Sequence, residues 1–349
     1  MACDLALASS RSPIGALERA AFQAHGAEQK LTRQEPSGSS RPLGGAVQKS
    51  ELIWLDGAFV PWDEAKVHVL THTLHYGLGA FEGIRCYQTK DGRSAVFRLH
   101  EHTRRLFASA HILEMSIPFA PAAIDEACLD TIRRNKLREC YIRPLVFLGD
   151  GEMGLAAVNA VRVVVVVWPW GSYLGDDGLK NGIRVKTSSF QRFHVNTMMT
   201  KAKAVGHYVN SILAAREARR GGYDEALMLD TDGFVSEASG ENIFIVRDGV
   251  VKTPPLTSVL PGITRATIMT LLRERGYELV EERFTRDEAY IADEAFFTGT
   301  AAEVTPIREL DDRAIGTGKP GPVTQAMQQA YFGLIRGEDA KHQDWLSYV

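Results

Sequence analysis

Cysteine is scarce in this chain: Cys3, Cys86, Cys128 and Cys140 are spread over 349 residues. Four thiols in so long a chain make no disulfide framework, and no Cys-x-x-Cys pair offers a metal or redox site. A reducing, cytoplasmic setting is the expectation. Long hydrophobic runs are missing too. The strongest, Val161 to Trp170, is too short to span a bilayer and reads as a buried strand. Neither sign of charge dominates. Forty basic against 43 acidic residues leave a net charge of -3, so no global basic field points to nucleic acid or an anionic membrane as partner. What remains is an ordinary soluble composition at a length that fits two domains.

Residues 1–48 stand apart. They are rich in Ala, Ser, Gly and Gln, and RQEPSGSSRPLGG marks a flexible stretch. Leu5 to Phe22 could form a weak helix, and Asp4, Glu18, Glu28 and Glu35 argue against a transit peptide. A disordered extension is expected. Folded structure then begins near Glu51 with a hairpin turned at Asp56-Gly57. Strands are expected at Val67–Leu70, Gly83–Gln88, Ser94–Arg98, Cys140–Leu148 and Ala160–Trp168. Helices are expected at His100–Leu113 and Ala122–Asn135, the first with Leu106, Ala110 and Leu113 on one face. A glycine-rich connection at 170–182 divides a small domain (49–169) from a larger one (183–349). The larger one holds a long helix at Ala202–Arg220, strands and hairpins to Pro254, a helix at Thr264–Arg275, and a last helix at Pro322–Ile335. Strands and helices mix without regular βαβ alternation, and no repeat is seen, so the fold class is α+β.

The stretch Leu229 to Arg265, LDTDGFVSEASGENIFIVRDGVVKTPPLTSVLPGITR, is the most informative. It places a carboxylate, Glu237, in a polar corner between two strand-like pieces. It ends in Leu260-Pro261-Gly262-Ile263-Thr264, a turn that opens a helix, and free N–H groups at a helix N-terminus suit a phosphate. Lys203 lies 34 residues before Glu237 in a small-residue context. Lysine, carboxylate and phosphate cup are the fixtures that pyridoxal 5'-phosphate requires, for a Schiff base, for a protonated pyridine nitrogen and for its phosphate. Each has a plainer reading. Most lysines are solvated, and spacing alone does not choose Lys203 over Lys201. Glu237 could be a turn carboxylate, and Glu241 rivals it. The LPGIT turn could be an ordinary helix start. Gly299-Thr300-Ala301-Ala302 is a second small-residue turn that could add donors.

Together these segments resemble the class IV (fold type IV) PLP-dependent aminotransferases, closely the bacterial branched-chain amino acid aminotransferases. The resemblance covers roughly residues 51–349. It is carried by His75-Tyr76-Gly77, Phe81-Glu82-Gly83-Ile84-Arg85-Cys86-Tyr87, Arg98 to Leu106, Tyr141-Ile142-Arg143-Pro144, Thr200 to Tyr208, Ser236 to Asn242, LPGITR, and GTAAEVTP from Gly299 to Pro306. It implies a two-domain fold with the site between a small and a large domain. It implies Lys203 as the Schiff-base lysine, Glu237 on the pyridine nitrogen, Tyr208 on the phenolic oxygen and Arg105 on the phosphate. Leu260, Gly262, Ile263, Thr264 and Thr300 would complete the cofactor cup. Tyr141, Arg143, Thr300 and Ala301 would meet substrate carboxylates, and Phe81, Tyr76, Trp170 and Tyr173 would form the apolar pocket. Tyr76 and Leu155 would reach into a neighbouring subunit's site, so a homodimer or a higher homo-oligomer with shared sites is implied. Val205 and His207 depart from positions that are smaller or amide-bearing in some relatives. The implied reaction moves an amino group from L-leucine, L-isoleucine or L-valine to 2-oxoglutarate. A D-amino acid aminotransferase, an amine transaminase or an aminodeoxychorismate lyase is the alternative.

Three other signals are read as ordinary structure. Gly149-Asp150-Gly151-Glu152-Met153-Gly154 matches G-x-G-x-x-G, but no helix is expected after it. Asp230-Thr231-Asp232-Gly233 lacks the remaining spacing of a calcium loop. His72, His75, His100 and His102 have no cysteine or second spaced pair beside them, so no metal is expected.

Overall fold

The computed structural model describes residues 47–171 and 174–349. Residues 1–46 of the extension expected at 1–48, and Tyr173, lie outside them. The first hairpin joins β1 (Leu52–Leu55) to β2 (Ala58–Pro61). Its turn residues Asp56 and Gly57 both have positive φ, the conformation a two-residue hairpin turn demands. A short helix, α1 (His72–Tyr76), leads to β3 (Gly79–Phe81). The strand expected at Val67–Leu70 does not form. Val67, Val69 and Leu70 are exposed there, and among the described residues no strand pairs with them. Then come β4 (Ile84–Gln88), β5 (Ser94–Phe97), α2 (Leu99–Ile112), α3 (Pro121–Arg134), β6 (Cys140–Leu148) and β7 (Val161–Trp168). All six start and end within a residue or two of the sequence expectation.

These strands form one sheet in the order β17-β5-β4-β6-β7-β1-β2, with β3 also on β6; β17 (Leu346–Tyr348) returns from the C-terminus to its edge. Helix α2 buries Leu99, His102, Thr103, Leu106, Ser109 and Ala110. That is one stripe at helical spacing, and it packs with Ile124, Cys128 and Ile132 of α3 against Ile84, Val96, Ile142 and Val146 of the sheet. The polar members of the stripe matter below, because they face the same way as the leucines.

The second sheet and its helices follow in the order α4 (Gly175–Asn181), β8 (Ile183–Thr187), α5 (Tyr208–Arg220), β9 (Glu225–Leu229), β10 (Val235–Ala238), β11 (Asn242–Arg247), β12 (Val250–Thr253), α6 (Ile263–Glu274), β13 (Glu278–Glu281), α7 (Arg286–Tyr290), β14 (Glu294–Gly299), β15 (Glu303–Leu310), β16 (Arg313–Ala314) and α8 (Pro322–Ile335). Strand order is β10-β9-β8-β15-β14-β11-β12-β13, with β16 on β15 and a further β10–β11 pairing. Both faces are covered. Phe244, Phe296, Leu271, Leu272, Met327 and Tyr331 pack on one, and Val185, Leu227, Ile243, Phe297 and Ile307 on the other. Mixed parallel and antiparallel pairing with helices makes this an α+β fold, as expected.

One expectation fails in an informative way. The helix read from Ala202 begins only at Tyr208. Residues 203–206 instead give their backbone to the first sheet. Ala204 bridges Ala80, the Phe81 N–H donates to the Lys203 carbonyl at 3.1 Å, the Val205 N–H to Gly79 at 2.8 Å and the Gly206 N–H to Gly77 at 3.1 Å. Gly77 has φ 73° and a Cβ there would lie 3.2 Å from Gly206 Cα, so this close approach requires a glycine. Tertiary pairing overrides the helical propensity of the segment.

Candidate functional site

The LPGIT turn does open a helix. Gly262 is the residue before α6, and no side chain caps it. The first N–H groups of a helix have no partner within it, so α6 presents uncapped donors and the positive end of its dipole. They border a cavity of about 240 Å³ whose wall includes Leu260, Gly262, Ile263, Thr264, Arg105, Lys203, Tyr208, Glu237, Thr300 and Ala301. Phe81, Tyr141, Arg143 and Trp170 line the same cavity. Of the positions singled out from sequence for the cofactor and the substrate, Tyr76 and Leu155 are not in this wall. They are exposed, and the single chain does not bring them to its own cavity. Tyr173 falls outside the described residues.

Lys203 enters from the pinned segment. Its backbone N–H donates to Ser109 Oγ at 3.0 Å, and its Nζ donates to the Tyr208 hydroxyl at 2.7 Å. The ammonium also sits over the rings of Phe81 and Tyr208. Among the described residues it makes no ion pair. Lys201 is different: it is outside the cavity wall and donates to the Val259 carbonyl at 3.3 Å.

Glu237 is buried on β10. Its Oε1 lies 2.7 Å from Arg192, and its Oε2 accepts from the Leu260 N–H at 3.0 Å and from Asn242 Nδ2 at 3.2 Å. Burial pushes its carboxyl up, while Arg192 and the Leu260 N–H act against that. Asn242 also donates to the Leu260 carbonyl at 3.1 Å, so it ties the carboxylate to the turn before α6. Glu241, the rival, also borders the cavity. Burial, with Glu225 beside it, raises its carboxyl strongly, which favours the neutral acid.

Arg105 projects from α2. Its Nη1 donates to the Pro261 carbonyl at 2.9 Å, and Nε and Nη2 grip Glu82 at 2.6 and 2.8 Å. Arg143 lies over Phe81 at 4.6 Å and near Tyr141 and Trp168, and donates weakly to the Tyr141 hydroxyl at 3.4 Å. It has no ion pair among the described residues, and its Nε is buried without a partner. A guanidinium held among aromatic rings with spare donors is ready for an incoming carboxylate. Gly83 lies directly beneath Tyr141: a Cβ there would stand 1.9 Å from the hydroxyl oxygen.

Sequence reasoning assigned no role to Arg192, Glu82, Asn242 or Thr298. Arg192 is a lone arginine in coil, with no pattern to mark it. Glu82 and Asn242 sit inside the quoted motifs, where other residues drew the assignments. Thr298 Oγ1 is a buried hydroxyl with no hydrogen-bond partner among the described residues, in the cavity wall. The residues of the other signals have these surroundings. The glycine run at 149–154 is followed by irregular backbone up to β7. Asp230 and Asp232 bind Arg283. His72 meets the Gly154 carbonyl, His100 meets Asp125 and His102 meets Glu82.

An uncapped helix N-terminus, Arg105, an orphaned hydroxyl and an unpaired lysine opposite a buried carboxylate fit a phosphorylated, carbonyl-bearing heterocycle. The comparisons with known proteins agree. The family described as amino-transferase class IV matches residues 79–310. The chain is 57% identical over 299 residues to a branched-chain-amino-acid aminotransferase of Pseudomonas aeruginosa, covering 85% of this chain and 97% of that one. The crystal structure of the Escherichia coli branched-chain amino acid aminotransferase superposes with a TM-score of 0.84 at 47% identity, covering 86% of this chain and 99% of that one. The branched-chain amino acid aminotransferase from Thermobaculum terrenum, solved in its PLP-form, superposes with a TM-score of 0.81 at 34% identity, covering 86% of this chain and 98% of that one. The chain belongs to the class IV aminotransferases, within their branched-chain amino acid group.

Proposed function

We propose that this chain is a branched-chain-amino-acid aminotransferase that uses pyridoxal 5'-phosphate to move amino groups between L-leucine, L-isoleucine or L-valine and 2-oxoglutarate. The observation that carries the proposal is the meeting of Lys203, Glu237, Arg105 and the N-terminus of α6 around one cavity. When bound, pyridoxal 5'-phosphate supplies an electron-withdrawing ring that spreads the charge left as the donor loses its α-proton.

The chain's own residues do the rest. Arg105, with the N–H groups of Ile263 and Thr264 and with Thr300, would hold the phosphate. Glu237 would keep a proton on the ring nitrogen, and Arg192 at 2.7 Å favours its ionised form. Tyr208 would hydrogen-bond the ring's phenolic oxygen. Its contact with Lys203 at 2.7 Å keeps the amine beside the reacting centre. Lys203 would serve as the carrier of the cofactor and as the base that takes and returns the α-proton. Arg143, Tyr141 and the N–H groups of Thr300 and Ala301 would bind carboxylates. Phe81 and Trp170, with Tyr173, would exclude water around an apolar side chain.

The substrates are amino acids and 2-oxo acids. The exposed apolar residues Val69, Leu74, Tyr76, Leu155 and Val158 support a homodimer or a higher homo-oligomer, in which Tyr76 and Leu155 complete a neighbour's site. The two sheets support a small domain at 49–169 and a large one at 183–349, joined by 170–182, with β17 (Leu346–Tyr348) returning from the large domain to the first sheet. Among the described residues no helix is long and apolar enough to cross a membrane, and the scarcity of cysteine favours the cytoplasm.

Absorbance titration tests the reading. The cofactor band of the wild type should change with L-leucine and recover with 2-oxoglutarate, and Lys203→Ala should not cycle. A band indifferent to L-leucine but responsive to D-alanine or a chiral amine would overturn the substrate assignment.

A further inference from the structure

Beneath Arg105 lies a buried acid that takes no part in the chemistry above. Glu82 has a fully buried side chain, and His102, on the same face of α2, is 1% exposed. Both Glu82 oxygens are engaged: Oε1 accepts from Arg105 Nε at 2.6 Å, and Oε2 from Arg105 Nη2 at 2.8 Å. The His102 Nδ1 lies 2.7 Å from Oε2. Burial alone would raise the Glu82 carboxyl, but Arg105 and His102 outweigh it and hold it well below the usual carboxylate range.

A guanidinium has five N–H donors in a fixed plane. Two of Arg105's are taken by Glu82 and one by the Pro261 carbonyl. One N–H on each terminal nitrogen remains, and the group lines the cavity beside Gly262 and Ile263. Two spare donors are what a bidentate contact to a phosphate uses. A free arginine would lose rotamer entropy on forming that contact; one already fixed on three sides loses little.

We propose that Glu82, steadied by His102, is the positioning residue that aims Arg105 at the cofactor phosphate. The inference rests on the pyridoxal 5'-phosphate reading. Glu82 acts on the phosphate end alone, because among the described residues its side-chain contacts are Arg105, His102 and the neighbouring backbone. It is not a catalytic residue.

The test measures affinity of the cofactor-free protein for two ligands that differ by the phosphate, pyridoxal 5'-phosphate and pyridoxal, from absorbance and protein fluorescence. In Glu82→Gln the Kd for pyridoxal 5'-phosphate should rise roughly 10- to 100-fold, with the Kd for pyridoxal unchanged. Arg105→Lys should show the same selectivity, and the double variant should be no worse than Arg105→Lys alone. Where Glu82→Gln does not fold, His102→Gln reads the same contact without leaving a buried charge unpaired, and a smaller rise confined to the phosphorylated ligand is expected. Equal loss for both ligands in a folded variant, or no loss for either, would overturn the proposal. A wild type that binds neither ligand would remove the cofactor reading as well.

Discussion

The Glu237 carboxylate and the Arg192 guanidinium stand 2.7 Å apart, both with side chains over nine-tenths buried. The arginine reaches the site from coil between β8 and the lysine segment, and no sequence motif announced it. Its charge works against the burial that pushes Glu237 toward the neutral acid, although burial remains the larger effect. Arg192→Gln should lower kcat about 10- to 100-fold and move the acid limb of the kcat profile to higher pH. A pH–rate profile checks this, and an unmoved limb would mean that Arg192 does not set the charge on Glu237.

The two lysines of the TKAKA segment should separate cleanly. Lys203→Ala should lose at least ~1000-fold in kcat. Lys201→Met, which gives up a bond to the Val259 carbonyl, should stay within about tenfold of the wild type, since Lys201 lies outside the cavity wall. Steady-state assays with L-leucine decide it; the reverse order would exchange the two assignments.

Gly83 tests the carboxylate subsite. An added Cβ would stand 1.9 Å from the Tyr141 hydroxyl oxygen and 2.8 Å from its ring carbon, so Gly83→Ala must push the ring aside. The displaced hydroxyl is the one Arg143 touches. KM for L-leucine and for 2-oxoglutarate should rise about tenfold, with cofactor affinity unchanged. A variant whose KM values match the wild type would remove Tyr141 from substrate binding.

His207 predicts a pH dependence of stability. Burial, with Arg192 nearby, pushes its pKa down to about 4, against about 6.5 in an unfolded chain. The folded state therefore binds fewer protons than the unfolded state between those values, and stability falls as pH drops through that window. His207→Asn should remove this part of the acid loss. The Tm of the wild type, measured relative to the variant, should decline from about pH 6.5 to about pH 4 and be flat above. A pH-independent difference would show that His207 is protonated as readily folded as unfolded.

Local pattern made much of this molecule legible. β6 and α8 have their expected ends because an apolar run of strand length and a helical repeat opened by Pro322 each carry their own boundary signals. The opening of α6 at Ile263, one residue before the expected Thr264, followed from Pro261 and Gly262. Other elements were invisible for equally physical reasons. Residues 203–206 lie in a segment read as helix, but backbone groups of theirs find partners in β3 and the turn before it. Val67–Leu70 has strand composition without a strand to pair with.

The site divides in the same way. Residue type and order along the chain determined the chemistry: an amine, a buried acid and a phosphate-ready helix start, recognisable because each chemical task admits few side chains. Spacing left Lys201 and Lys203 open, and the resemblance implied Lys203. The tertiary structure brings that lysine to the cavity through the backbone pairing of Lys203 with Phe81. It alone supplied Arg192, Glu82 and Asn242, whose roles are distances to other side chains and so leave no periodicity or spacing to read. A sequence lists charges; folding sets which charge is buried against which, and burial makes those pairs strong enough to orient a reaction.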